Sequence, residues 1–139
     1  MELHNLIKDS DDRRISETNE KLQALKQKLG DTVIVMEKAL NDHIYDTSNL
    51  TVVQCPSGGS NRRCGGQGDL LAGAIATFYH WGLNFKNPES EINDNPAVLA
   101  CYAASFLIKR CNVLAFEKYG RSLTAEDMIG FIGKCINEF

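Results

Sequence analysis

Gly58-Gly59-Ser60-Asn61-Arg62-Arg63-Cys64-Gly65-Gly66-Gln67-Gly68-Asp69-Leu70-Leu71-Ala72-Gly73 joins a glycine-rich loop, two arginines and one acid to the start of a helix. Glycines at 58, 59, 65, 66 and 68 allow positive φ and let bare N–H groups approach a ligand. Backbone donors at a helix N-terminus attract anions. The combination is that of a phosphoryl-transfer site. Asp69 opens the helix, where its carboxylate serves either as a cap or as a base acting on the group that receives phosphate. Arg62 and Arg63 offset negative charge on the other side. The plainer alternative is a glycine-rich surface connection capped by Asp69, because turn chemistry draws on the same residues. No Lys-Ser or Lys-Thr follows the last glycine, which excludes a Walker A loop, and Leu71 stands where a dinucleotide fingerprint requires Gly or Ala. The loop is also too long for the tight first turn of a Rossmann unit.

Downstream, Leu70, Leu71, Ala74, Ile75 and Phe78 recur at helical spacing until Gly82, and Ala72, Gly73, Ala74 and Ala76 make that helix slim enough to pack closely. Residues 84 to 94 read as a polar connection. Asn95 and Pro96 then offer an N-cap and a first-turn proline for a long apolar helix reaching Glu117, with Gly120 as its stop. Thr124 and Asp127 begin a capping-box pattern for a last helix carrying Met128, Ile129, Ile132 and Ile136.

Upstream, the polar stretch Asp9–Arg14 separates a short N-terminal segment from a helix with Leu22, Leu25 and Leu29 on one face, ending at Gly30. Thr32-Val33-Ile34-Val35-Met36 is a continuous apolar run rich in β-branched residues, which suits a strand covered on both faces as in a parallel sheet. His43–Asp46, a turn at Thr47-Ser48-Asn49, and Leu50–Gln54 read as a hairpin. The order predicts an α/β protein whose few strands leave sheet edges exposed, as in the C-terminal part of a larger sheet.

The 139 residues suffice for one domain, residues 1–139, and their 43% hydrophobic and 24% charged content is that of a soluble globular protein. A net charge of −3 and a pI near 5.6 carry no polyanion-binding signature, so nucleic acid is not an expected partner. Cysteines at 55, 64, 101, 111 and 135 are odd in number and form no C-x-x-C pair. That favours reduced thiols over a disulfide framework or a zinc site, and no metal ligands are assigned. Cys64 reads as a small loop residue rather than a nucleophile, with no histidine near it in sequence. His43 and His80 read as packed or solvent-facing. The first residues lack a signal-peptide pattern and no apolar run approaches membrane-spanning length, so no membrane is expected. The cytoplasm is the expected location, with the mitochondrion as the alternative for a full-length form.

Arg62-Arg63-Cys64-Gly65-Gly66-Gln67-Gly68-Asp69-Leu70-Leu71, followed by His80-Trp81, resembles the ATP-dependent NAD(P)H-hydrate dehydratase family of eukaryotes, a branch of the ribokinase-like three-layer α/β/α fold. Val35-Met36-Glu37-Lys38 followed by Asp42 resembles the family's strand and its Lys-Gly-x-x-Asp nucleotide segment, with Ala39 in place of the glycine. Lys118–Ser122 with Asp127-Met128-Ile129 resembles its C-terminal helix start. Glu2-Leu3-His4-Asn5-Leu6 resembles part of its hydrate-binding segment. Family members are considerably longer, so the chain is expected to be the C-terminal part of such a domain. The resemblance implies ATP-dependent dehydration of the hydrates of NADH and NADPH, with ATP as phosphoryl donor and Mg²⁺ accompanying it. It implies Asp69 as the catalytic base and a hydrate ligand. ATP contacts are implied from Lys38, Ala39, Leu40, Asn41 and Asp42, and from Gly59, Ser60, Asn61, Arg62, Arg63, Cys64, Gly65, Gly66, Gln67 and Gly68. Hydrate contacts are implied from Glu2, Leu3, His4, Asn5 and Leu6. Two alternatives stay open, another ribokinase-like small-molecule kinase and a truncated nucleotide-binding module without catalysis. Self-association into a homo-oligomer is compatible with each.

Overall fold

The computed structural model describes residues 2–56, 58–84 and 95–138, with side chains from Ser16 onward. Its elements in chain order are α1 (Glu2–Leu29), β1 (Ile34–Glu37), β2 (His43–Asp46), β3 (Thr51–Gln54), α2 (Gln67–Asn84), α3 (Pro96–Tyr119), a 3-10 turn (Gly120–Ser122), α4 (Ala125–Ile129) and α5 (Ile132–Ile136). The chain divides into two compact units, Met1–Val35 with Tyr45–Val53, and Met36–Ile44 with Gln54–Phe139.

In the first unit, α1 runs through the stretch Asp9–Arg14 that reads as a separator. Charged residues do not break a helix without glycine or proline, and neither occurs between Glu2 and Leu29. Of the predicted apolar stripe, Leu22 is buried, Leu25 is half-buried and Leu29 is exposed. Lys26, in the last turn where a cation suits the helix dipole, bonds the Thr47 carbonyl at 3.3 Å and pairs with Asp31 at 3.3 Å. The side chain and N–H of Thr47 bind the Val33 backbone, and the buried Asp46 carboxylate accepts from Ser48 and from the N–H and side-chain amide of Asn49. Those bonds close the turn predicted for the hairpin.

The strands form one sheet in the order β1-β2-β3. The expectation of a strand covered on both faces in a parallel sheet is not met. All four β1 residues are half-buried, and the pairing is that of an antiparallel meander. Five connecting residues between β1 and β2 leave no room for the crossover that parallel strands require. The apolar run therefore reflects β-propensity more than double-sided burial.

The second unit is organised by α3. Asn95 caps it by accepting from Ala97 N–H at 3.0 Å, Pro96 occupies the first turn, and Gly120 ends it at φ 57°, all as the local chemistry predicts. Ala104, Leu107, Ile108, Cys111, Leu114 and Ala115 of α3 form the core with Leu71 of α2 and with Leu123, Met128 and Cys135. The stretch Pro96–Ser122 is long enough to span a membrane and holds an 18-residue window of mean hydropathy 1.4, contrary to the reading that no run approaches one. Half of that window is buried inside the protein, and the stretch carries Lys109, Arg110 and Lys118, so it serves as a core helix.

Thr124 and Asp127 form the reciprocal capping box. The single last helix expected after it is two, because the chain turns at Gly130-Phe131, where Phe131 N–H bonds the Met128 carbonyl at 3.0 Å. Glycine's low helix propensity places the break there. The connection predicted for residues 84 to 94 lies, beyond Asn84, outside the described residues.

Candidate phosphate-binding site

A cavity of about 560 Å³ opens in the second unit. Lys38, Ala39, Leu40 and Asp42 line one side, and Gly58 to Arg63 with Gln67 line another. α3 contributes Ser105, Ile108, Lys109 and Asn112, α2 contributes Leu71, and the turn after α3 contributes Arg121. Among the described residues its cations are Lys38, Arg62, Arg63, Lys109 and Arg121, and its one carboxylate is Asp42. A concavity with four more cations than acids, in a chain of net charge −3, focuses positive potential where a polyanion would sit.

Asp42 does not neutralise that excess freely. The residue is 4% exposed, and its carboxylate accepts from the Ser105 hydroxyl at 2.6 Å and from Ala39 N–H at 2.8 Å and pairs with Lys109 at 3.2 Å. Burial pushes its pKa up, but the two hydrogen bonds and the Lys109 charge outweigh burial and hold it below the ordinary value. Lys109 also donates to the carbonyls of Leu40 at 3.1 Å and Pro56 at 3.2 Å. Cys55 N–H bonds the Asp42 carbonyl at 2.8 Å. One ion pair thus ties the 38–42 segment, the start of the glycine loop and α3 together.

The glycine loop reaches α2 through Gly66, which holds φ 85° and accepts from the N–H groups of Asp69 and Leu70, both at 3.1 Å. A Cβ on Gly66 would stand 2.9 Å from the Ala125 Cβ. Gln67 is anchored by donating to the Met128 sulfur at 3.4 Å. The first-turn N–H groups of Gln67 and Gly68 have no preceding helical carbonyl to bond, and a Cβ on Gly68 would lie 4.0 Å from Lys38 Nζ. An ammonium group therefore stands close to the positive end of α2, an arrangement that an anion between them would stabilise.

The structure brings together ten of the residues singled out for ATP, namely Lys38, Ala39, Leu40, Asp42, Gly59, Ser60, Asn61, Arg62, Arg63 and Gln67. Asn41, Cys64, Gly65, Gly66 and Gly68 do not line the cavity, nor does Asp69. The Asn41 side-chain oxygen is buried without a hydrogen-bond partner among the described residues. Asp69 is exposed in the first turn of α2. It is the third helical residue and not the cap, since the helix begins at Gln67. The side chains of Glu2, Leu3, His4, Asn5 and Leu6 lie outside the described residues. Sequence reading missed Ser105, Lys109, Asn112 and Arg121. The first three fall at i, i+4 and i+7 on an otherwise apolar helix, a polar face that helical spacing alone could have exposed.

All five cysteines are free. Cys64 is half-buried and the other four are buried. Burial, and the hydrogen bond and charge of Cys135, push the Cys111 thiol up to about 12. No group of three or more His, Cys, Asp or Glu side chains is placed to hold a metal ion among the described residues.

The family model for NAD(P)H-hydrate dehydratase matches residues 1–134. The chain belongs to the NAD(P)H-hydrate dehydratase family. It is 53% identical over 117 residues to an ATP-dependent (S)-NAD(P)H-hydrate dehydratase of Aedes aegypti, an alignment covering 84% of this chain and 34% of the relative. It is 50% identical over 113 residues to the protein of the same name from Drosophila melanogaster, covering 79% and 36%. The Rattus norvegicus relative is 42% identical over 114 residues, covering 82% and 32%. The chain thus spans about a third of the length of the curated relatives it matches. Within the family's ribokinase-like class the structure is α/β, helix-rich with a small antiparallel sheet.

Proposed function

We propose that the cavity binds the phosphates of Mg·ATP and that the chain carries the phosphoryl-transfer half of an ATP-dependent NAD(P)H-hydrate dehydratase. One observation carries the reading. Among the described residues, five cations and a single, already paired carboxylate surround a cavity built from the two segments that resemble nucleotide-binding segments of the family. The names of the relatives supply the reaction class. The described sheet and helices are proposed as the C-terminal portion of the three-layer fold.

The chemistry asks for few groups. Hydroxide is a poor leaving group and phosphate a good one, so the hydrate hydroxyl is phosphorylated before it departs. The hydroxyl oxygen forms a bond to the γ-phosphorus, the bond to the ADP oxygen breaks, and the hydroxyl proton passes to a base. The ring C–O bond then breaks with its electrons leaving on phosphate, a proton leaves the neighbouring ring carbon and ends on phosphate, and the nicotinamide double bond returns. The base is assigned to Asp69. Its exposure at the positive end of α2 leaves the carboxylate accessible to an acceptor hydroxyl. Arg62, Arg63, Lys38 and Arg121 offset charge on the nucleotide. The N–H groups from Gly65 to Gly68 are assigned to the transferring phosphoryl group. Magnesium is proposed to enter with the nucleotide, because the cavity's only carboxylate among the described residues is committed to Lys109.

Incubating the chain with ATP, magnesium and NADH hydrate, and following the return of reduced-nicotinamide absorbance, tests the proposal. ATP-dependent recovery that falls by about 10²–10⁴-fold in Asp69→Asn, with ATP binding retained, is the expected result. Recovery unaffected by Asp69→Asn contradicts the assignment of the base, and a phosphorylated product that persists would indicate a small-molecule kinase.

A further inference from the structure

Asn112 lies at the cavity wall on α3, is 5% exposed, and spends both ends of its amide on the glycine loop. Its Oδ1 accepts from Ser60 N–H, and its Nδ2 donates to the Arg62 carbonyl at 3.0 Å. The Ser60 hydroxyl closes the same short arc by accepting from Arg62 N–H at 3.2 Å and donating to the Arg62 carbonyl at 3.3 Å. Gly59 supports the close approach: its φ is 86°, and a Cβ there would stand 3.4 Å from Asn112 Oδ1. Three and seven residues earlier on the same face, Lys109 and Ser105 hold the 38–42 segment through Asp42.

We infer that Asn112 is the positioning residue for the phosphate-binding arginines, holding the backbone of residues 60–62 at the place from which Arg62 and Arg63 meet the nucleotide phosphates. The inference rests on the nucleotide reading above. Asn112 acts through the loop, since its polar atoms are already occupied by loop backbone. With Ser105 and Lys109 it makes α3 the common ruler from which both walls of the cavity are hung. Holding charged groups at a fixed spacing before the ligand arrives removes ordering cost at binding.

The test compares the unaltered chain with Asn112→Leu, which keeps about the side-chain size and favours the helix while removing both hydrogen bonds, and with Asn112→Ala as a second variant. ATP and inorganic tripolyphosphate are titrated separately by calorimetry, and amide exchange is followed at Ser60. Leu114→Val, which trims a core residue of α3 that does not line the cavity, serves as the stability control. Expected are at least about tenfold weaker binding of both ligands and faster Ser60 exchange in the Asn112 variants, with unchanged binding in Leu114→Val. Unchanged affinity in a folded Asn112 variant overturns the inference. So does an equal loss in Leu114→Val, which would reduce Asn112 to a stability residue, or a loss confined to ATP, which would make it a nucleoside contact. Failure of the unaltered chain to bind either ligand overturns the nucleotide reading itself and the inference with it.

Discussion

Replacing Gly66 with alanine is expected to destabilise the second unit by about 2–4 kcal/mol, the sum of two independent penalties. Gly66 holds φ 85°, a conformation that L side chains avoid, and its added Cβ would meet the Ala125 Cβ at 2.9 Å. Neither neighbour moves cheaply. Ala125 opens α4 behind a capping box, and the Gly66 carbonyl accepts from Asp69 and Leu70 at the start of α2. Urea unfolding of Gly66→Ala against the unaltered chain measures the loss. Ala125→Gly in the same background should recover the steric part and leave the dihedral part. Gly68 makes an informative contrast, because a Cβ there meets nothing nearer than Lys38 Nζ at 4.0 Å. Gly68→Ala is therefore expected to stay within the range of an ordinary helix substitution. Equal losses at 66 and 68 would show that the loop is less constrained at Gly66 than its geometry implies.

Lys109→Met should cost about 3–5 kcal/mol at neutral pH, the range expected when one partner of a buried ion pair is removed and the other remains. Asp42 is 6% exposed at its side chain and Lys109 16%, so the abandoned carboxylate has little water to turn to. The loss carries a pH signature. Because the folded pKa of Asp42 lies below its ordinary value of 3.8, its ionised form contributes stability that is complete above that value and is lost as pH falls through the folded pKa. The unaltered chain should therefore lose stability on acidification below about pH 4, with Asp42 among the responsible groups. Lys109→Met has already lost the pairing, so the difference between the two chains should narrow over the same interval. Urea midpoints followed from pH 7 down to about pH 2 decide the matter. A difference as large in acid as at neutrality would assign the loss to packing of the lysine stem rather than to the pair.

What could be read from sequence was local. Asn95 with Pro96, Gly120, and Thr124 with Asp127 delimit their helices because capping chemistry is settled within a few residues. The hairpin followed for the same reason, with Asp46 holding its own turn. The failures were matters of context. The run 32–36 has the same composition whether a second layer covers it or not, and only the pairing of β1 with β2 settles which. Asp69 looked like the first residue of its helix because Gln67 and Gly68 carry no start signal of their own. Half of the cavity was legible as a motif. The other half was not, because Ser105 meets Asp42, and Asn112 meets Ser60 and Arg62, across more than forty residues of chain. Those partners are chosen by the packing of α3, which no spacing rule on the loop encodes.

ATP phosphates are proposed to bind in the cavity lined by the 38–42 segment, the glycine loop and α3. Titrating Mg·ATP into isotopically labelled chain and following amide shifts residue by residue tests this most directly. The largest saturable changes should fall on Lys38 to Asp42, Gly58 to Gly68 and the α3 face around Lys109 and Asn112, and inorganic tripolyphosphate should compete for them. Changes confined to the open polar groove along α1, lined by residues such as Asn19, Gln23 and Gln27, would show that the cavity is not the nucleotide site. So would the absence of saturable change anywhere in a folded chain.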